Sequence, residues 1–323
     1  MALGSRLWRL RGPDGFNRVR RHIGQRVDQT LALTRWKLGP LPEVSPFDGD
    51  PRFALVTVNF STTRLLKLML LTLGEQEQVS LVERVIIADN ASRDGGVPFL
   101  RALAAHVPRV HVVERHVFLD HARGMRSGLR ALERVERDVD EHERSNLLLF
   151  CDTDVVFRNP ETLLDLGASI VVHDAAFAGE LRGTGKLPFV HASFLVVRRD
   201  WYYRRSGVPW LYHPTPAVPM ERRMWRAGAT VSNFPTYLNG YVIHKGRSGI
   251  AAAREHRRRH PHATAERDVA HFMHAPDGAD QWAEIEGRYE RLLERAAEPE
   301  LLEVLAERLA ALGTRAARVT DDA

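Results

Sequence analysis

The chain alternates short apolar runs with segments of helical periodicity. Residues 53–60, FALVTVNF, are rich in β-branched and aromatic side chains and read as a strand. Leu65, Leu66, Leu68, Met69 and Leu73 then recur at helical spacing, with Ser61-Thr62-Thr63 as an N-cap and Gly74 as a stop. Residues 82–88 predict a second strand, 97–106 a short helix and 110–113 a third strand. Residues 121–137 predict a helix with Gly124, Gly128, Leu129, Leu132 and Val135 on one side, and 147–151 a fourth strand. A strand apolar on both faces belongs in a parallel sheet covered by helices. Strand–helix alternation with short connections implies right-handed βαβ units. The expected class is α/β, a Rossmann-like, mostly parallel sheet flanked by helices.

Past residue 154 the pattern is less regular. Asn159-Pro160-Glu161 predicts a helix start, with Pro in the first turn, running to about Leu166. Residues 169–172 read as a strand, 176–188 as loop and 189–197 as one continuous strand. A proline-rich loop leads to a helix near 221–227 that Gly228 ends. Residues 230–234 and 241–244 are further short strands. Two amphipathic helices are expected between 283 and about 319, with Glu298-Pro299-Glu300 between them. Four regions follow: a basic helical extension and linker at 1–50, a first half at 51–154, a second half at 155–280, and C-terminal helices at 281–323.

Composition narrows the class. The chain has 323 residues, 44% hydrophobic and 27% charged, as expected of a soluble globular protein with a sizeable core. A single cysteine, Cys151, excludes an internal disulfide and fits a reducing compartment. No apolar run approaches the ~18 residues a membrane span needs, and residues 1–10 lack the features of a secretory signal, so a cytoplasmic location is expected. Residues 1–38 carry nine Lys/Arg against Asp14 and Asp28. With Trp8 and Trp36 this basic segment suits peripheral contact with the inner face of a membrane. A second basic cluster lies at 254–260. No nucleic-acid recognition motif accompanies either, so a nucleic-acid partner is not expected.

The candidate chemistry sits where strands end. The fourth strand runs into Asp152-Thr153-Asp154, and residues two apart on an extended backbone point the same way. Two carboxylates facing one cavity repel unless a cation lies between them, and oxygen ligands of this kind suit Mn²⁺ or Mg²⁺ carrying a phosphate. Asn59 follows the first strand, and Asp89-Asn90-Ala91-Ser92-x-Asp94 follows the second. In open α/β sheets, ligands lie beyond the carboxyl ends of the strands. Neither G-x-x-x-x-G-K-[ST] nor G-x-G-x-x-G follows the first strand, which argues against P-loop NTPases and dinucleotide dehydrogenases.

The order Val56-Thr57-Val58-Asn59, Asp89-Asn90-Ala91-Ser92-x-Asp94, Asp152-x-Asp154 resembles the GT-A-fold glycosyltransferases. It is most similar to the large inverting bacterial family that includes rhamnosyl- and galactosyl-type enzymes. The resemblance covers roughly residues 53–250 and implies a nucleoside-diphosphate-sugar donor, UDP- or dTDP-linked, and a hydroxyl acceptor that is a sugar, a glycan or lipid-linked. It implies that Asn59, Asp89, Asn90 and Asp94 line the nucleotide end. Asp152 would contact the sugar or ribose and share a metal with Asp154 and His244, and Lys245 and Arg247 would hold the diphosphate. The family's Glu-Asp pair is missing where the general base is expected. Glu221 is the carboxylate at that place, with Asp200 and Glu180 in reserve. His191 is expected on the acceptor side, with Trp201, Tyr202, Trp210 and Tyr212 offering faces to a sugar. Two other readings share the scaffold: a nucleotidyltransferase, and a binding module without catalysis.

Overall fold

The computed structural model describes residues 46–314 and positions 27, 30, 31 and 34, apart from residues 118–119, 183–187, 204–209, 212–215, 249–250, 253–271, 273–274 and 276. Nearly all of the expected basic extension, the 254–260 cluster and Tyr212 lie outside the described residues.

The first half follows the expected alternation: β1 (Phe53–Asn59), α1 (Thr63–Leu73), β2 (Val82–Asp89), α2 (Val97–His106), β3 (Val110–Glu114), α3 (His121–Val135) and β4 (Leu147–Cys151). The second half is β5 (Val155–Phe157), α4 (Thr162–His173), β6 (Phe177–Gly179), β7 (Leu181–Arg182), β8 (Phe189–Val190), β9 (Phe194–Arg198), α5 (Arg199–Tyr203), α6 (Val218–Arg226), β10 (Val231–Asn233) and β11 (Val242–His244). The C-terminal helices are α7 (Gly278–Arg288), α8 (Glu290–Leu293) and α9 (Glu298–Arg308).

The main sheet has the order β10-β6-β9-β4-β1-β2-β3. β1 pairs in parallel with β2 and β4, and β2 with β3, while β9 runs antiparallel to both β4 and β6. Period-2 alternation splits the core. Phe53, Leu55, Val85, Ile87, Leu147 and Leu149 face a layer built by α1, α2, α4 and the C-terminal helices. Ala54, Val56, Val58, Ile86, Ala88, Leu148 and Phe150 face α3 and the aromatics Trp201, Tyr202 and Trp210. α3 lies close to the sheet because it presents glycines. A Cβ on Gly124 would stand 2.7 Å from a Val58 methyl, and one on Gly128 2.9 Å from a Val56 methyl.

The departures from expectation lie in the second half. Residues 169–172 are the last turns of α4, not a strand. Leu163, Leu166, Gly167 and Ile170 are buried at helical spacing, while Leu164, Val171 and Val172 are exposed. Helical burial overrides the β-propensity of Ile-Val-Val, and Asp174 ends the helix with a left-handed φ of 43°. Pro160 sits in the turn before α4, not in its first turn. Residues 177–182 form two short strands where loop was expected. The predicted strand over 189–197 is broken. β8 forms a hairpin with β7, and β9 joins the main sheet after a turn at His191-Ala192-Ser193. The C-terminal helices start at Gly278, earlier than expected.

Candidate functional site

The loops after β1 and β2 are locked together by Asn59. Its Nδ2 donates to Asp89 Oδ2 (2.9 Å), to Ser92 Oγ (3.1 Å) and to Thr63 Oγ1 (3.1 Å). Its Oδ1 accepts from the Thr62 hydroxyl at 3.0 Å. Asp89 Oδ1 accepts from the Ser92 backbone N–H at 3.0 Å. α1 takes its cap from the neighbouring loop: Asp94 Oδ2 accepts from Thr63 N–H at 2.8 Å, and Asp94 Oδ1 from Gly96 N–H at 3.1 Å. Asp89 and Asn90 are each only 1% exposed. In this structure Asn59, Asp89 and Asp94 thus shape the loops after β1 and β2 by bonding to neighbouring side chains and to the backbone.

The second cluster lies beside them at the end of β4. Asp152, Asp154 and His244 bring one ligand atom each to within 4.8 Å of one another. His244 is 90 residues from Asp154 and arrives through the antiparallel β5–β11 pair, whose register sets His244 opposite Val155. His244 Nε2 lies 3.1 Å from Asp154 Oδ1 and 3.8 Å from Asp152 Oδ2. His121, the first residue of α3, places its Nε2 3.8 Å from Asp152 Oδ1. The Thr62 and Thr153 hydroxyls meet at 2.8 Å, tying the β1 loop to the carboxylate turn.

Charge in this cluster is unbalanced. Burial works against ionisation of Asp154, but His244 and hydrogen bonds from His244 and Ser248 outweigh it and hold the carboxyl at about 2. Burial pushes the Asp152 carboxyl up; the Asp154 charge adds to this, while His121 and His244 pull it back. Burial also opposes the charged form of His244, but the two carboxylates win and raise its pKa. Two carboxylates and an imidazole converging this closely, Asp154 and His244 buried and Asp152 half-buried, could hold a divalent cation.

Beyond β11 the chain stays on the site. The Lys245 N–H donates to the Asp154 carbonyl at 3.0 Å. Gly246 and Arg247 both adopt positive φ, 74° and 62°, and return Ser248 N–H to within 3.3 Å of Asp154 Oδ2. Arg247 is exposed.

Across the cluster lie His191 and Ser193. Ser193 C=O accepts from Asp152 N–H at 2.9 Å. Ser193 Oγ lies 2.6 Å from His191 Nδ1 and 2.5 Å from the Tyr237 hydroxyl. The His191 ring is 5.9 Å from that of His244. Glu221 lies beneath this turn, bonded to the residue before His191. It is 0% exposed, its Oε2 accepts from Val190 N–H at 2.8 Å, and its Oε1 has no hydrogen-bond partner. Burial raises its carboxyl to about 8, against small opposing effects of Val190 and Arg222. The structure therefore holds Glu221 as a buried acid under β8. Of the reserves, Glu180 accepts from Tyr237 N–H at 2.7 Å, and Asp200 is bound to Arg198. Trp201, Tyr202 and Trp210 are at most 5% exposed and are packing residues here.

Sequence reasoning missed Tyr237 and the Thr62–Thr153 bridge, neither of which lies in a local pattern that marks it. Two cavities of about 650 and 1100 Å³ lie at the opposite edge, where the strands begin. The arginines lining them include Arg109 and Arg198, which are engaged by Glu83 and by Asp174 and Asp200.

No family model matches the chain, and no curated protein does. Among solved structures it is similar to the mannosyltransferase PcManGT from Pyrobaculum calidifontis in complex with GDP-Man and Mn²⁺. That pair shares 18% identity over 92% of this chain and 85% of the other, with a TM-score of 0.45. It is also similar to S. aureus TarS 1–349, at 14% identity over 80% of this chain and 71% of that one, TM-score 0.41. A third similarity is to glucosyl-3-phosphoglycerate synthase from Mycobacterium tuberculosis, at 13% identity over 56% of this chain and 69% of that one, TM-score 0.38. The functional reading rests on the site itself.

Proposed function

We propose that the protein is a divalent-cation-dependent glycosyltransferase that moves a sugar from a UDP- or dTDP-linked donor to a hydroxyl acceptor. The observation that carries this reading is the Asp152–Asp154–His244 cluster at the carboxyl edge of the parallel strands. A cation held at the carboxyl ends of such strands is complementary to a diphosphate. Bound there by Asp152, Asp154 and His244, Mn²⁺ or Mg²⁺ would offset the negative charge of the departing nucleoside diphosphate. Lys245 and Arg247 would hold its oxygens, and the loops locked by Asn59, Asp89, Asn90 and Asp94 would form the wall for the nucleoside. We assign His191 to the acceptor, because its ring is oriented by Ser193 next to the cluster.

The test is nucleoside diphosphate release from a panel of nucleotide sugars with and without metal. Release should require Mn²⁺ or Mg²⁺ and be lost in Asp154→Asn with the fold intact by circular dichroism. Full activity of Asp154→Asn in EDTA would sink the proposal. The burial of Glu221 favours one second reading, a nucleotide-sugar-binding module without transfer. Cation-dependent donor binding with no product from any acceptor would support it.

A further inference from the structure

A line of hydrogen-bonding side chains ends at His191. Its Nδ1 lies 2.6 Å from Ser193 Oγ, which lies 2.5 Å from the Tyr237 hydroxyl. Ser193 and Tyr237 are each 1% exposed. The Tyr237 ring centroid is 6.5 Å from that of His191 and 6.2 Å from that of His244, so the phenol packs beside both imidazoles of the site. Its mounting is firm: the backbone N–H groups of Tyr237 and Leu238 both donate to Glu180 Oε2, at 2.7 and 3.1 Å.

Counting hydrogens gives this line a direction. Among the described residues the Tyr237 hydroxyl has Ser193 Oγ as its one hydrogen-bond partner. Burial pushes the phenol's pKa up, against a smaller opposing effect of Ser193, so the hydrogen stays on. A buried O–H with one partner donates to it, because its hydrogen would otherwise lie unsatisfied away from water. Ser193 Oγ therefore accepts from Tyr237 and turns its own hydrogen toward its other partner, His191 Nδ1. The Ser193 backbone N–H also faces Nδ1, at 3.4 Å, and a backbone N–H can only donate. With Nδ1 accepting, neutral His191 carries its hydrogen on Nε2. A general base needs a bare nitrogen within reach of the proton it takes, and the bare nitrogen here is occupied by the Ser193 hydroxyl.

We infer that Tyr237 is a positioning residue: through Ser193 it holds His191 as the Nε2–H tautomer, so that His191 gives a hydrogen bond to an oxygen of the acceptor and does not serve as its general base. This rests on the reading of His191 as an acceptor-side residue given above. Tyr237 touches no reacting atom and acts through the imidazole. The same line ties the acceptor side to the carboxylate turn, because the Ser193 carbonyl accepts from Asp152 N–H at 2.9 Å.

The experiment reads the tautomer directly, by long-range ¹H–¹⁵N NMR of the full chain labelled with ¹⁵N-histidine, at a pH where the imidazole is neutral. The His191 signals are those missing from His191→Gln. Wild type should show hydrogen on Nε2 and a bare Nδ1, while Ser193→Ala and Tyr237→Phe should each add the Nδ1–H form. A wild-type ring with its hydrogen on Nδ1 would overturn the inference. So would a tautomer unchanged in whichever of Ser193→Ala and Tyr237→Phe keeps the wild-type melting transition. A second arm measures nucleoside diphosphate release from the nucleotide-sugar panel with Mn²⁺. His191→Gln keeps an N–H donor and should stay within about twofold of wild type, whereas His191→Ala should lose about three- to tenfold. Losses of about a hundredfold or more in both variants would mark a base and overturn the inference. If wild type releases nothing from any donor, the transferase reading falls and the acceptor role of His191 falls with it, while the spectrum still decides the tautomer.

Discussion

Glu221 shows what burial does to a carboxylate that residue type and position single out. A carboxylate near the start of a helix beyond the acceptor-side strand has the expected place for a general base. The structure puts it at 0% exposure, with its proton retained up to about pH 8. Its bond to Val190 N–H fixes β8 and thereby the turn that carries His191. The sign of its pH effect follows from linkage. Between the ordinary value of 4.5 and about 8 the folded state holds a proton that the unfolded state has released, so stability falls as pH rises through that window. Glu221→Gln should remove this loss. Urea denaturation should find the variant the more stable by on the order of a few kcal/mol at pH 8, with the gap closing below pH 5. A gap independent of pH would contradict the buried-acid role. His191 belongs to the same scale. His191→Ala should raise the KM for acceptor more than that for donor, in steady-state assays varying each substrate in turn, since its ring lies across the cluster from the Asn59 loops.

At the scale of elements, period and propensity competed in the second half of the chain. Over residues 169–172 the β-branched run suggested a strand, but Leu163, Leu166 and Ile170 already set a helical face that continues through it. Val172, 76% exposed, is then a surface residue. Val172→Glu should change stability by no more than about 0.5 kcal/mol, as a surface substitution does. A large loss would point to a buried strand. β8 and β9 show the converse case, in which one apolar run serves two sheets and the polar turn between them lies against Asp152. In the first half the sequence signals agreed with each other and with the structure. Gly124 and Gly128 let α3 approach β1, and there the packing is tight enough to test. Gly124→Ala should cost about 1–3 kcal/mol by overpacking, and Val58→Ala in the same chain should recover part of the loss. Chemical denaturation of the two single variants and the double variant measures both.

At the scale of the molecule, the C-terminal helices are integral. Leu301 and Leu305 are 0% exposed and belong to the same core as Phe53 and Leu147. Leu301→Ala should cost about 2–5 kcal/mol, a substantial share of the stability of a natural domain. Thermal or urea unfolding gives the number directly, and a loss below about 1 kcal/mol would mean that these helices are peripheral. Among the described residues no helix is long and apolar enough to cross a membrane.

The sequence by itself determined the parallel half of the sheet, because burial on both faces and strand–helix alternation are local patterns with few topological solutions. It also placed Asp152 and Asp154 together at a strand end, since residues two apart on an extended chain share a side. Tertiary structure decided which distant groups join them. His244 meets Asp154 because the β5–β11 register sets it opposite Val155, and Glu221 is buried because α6 packs under β8. Such meetings depend on register and docking between elements far apart in the chain, and no local periodicity encodes them.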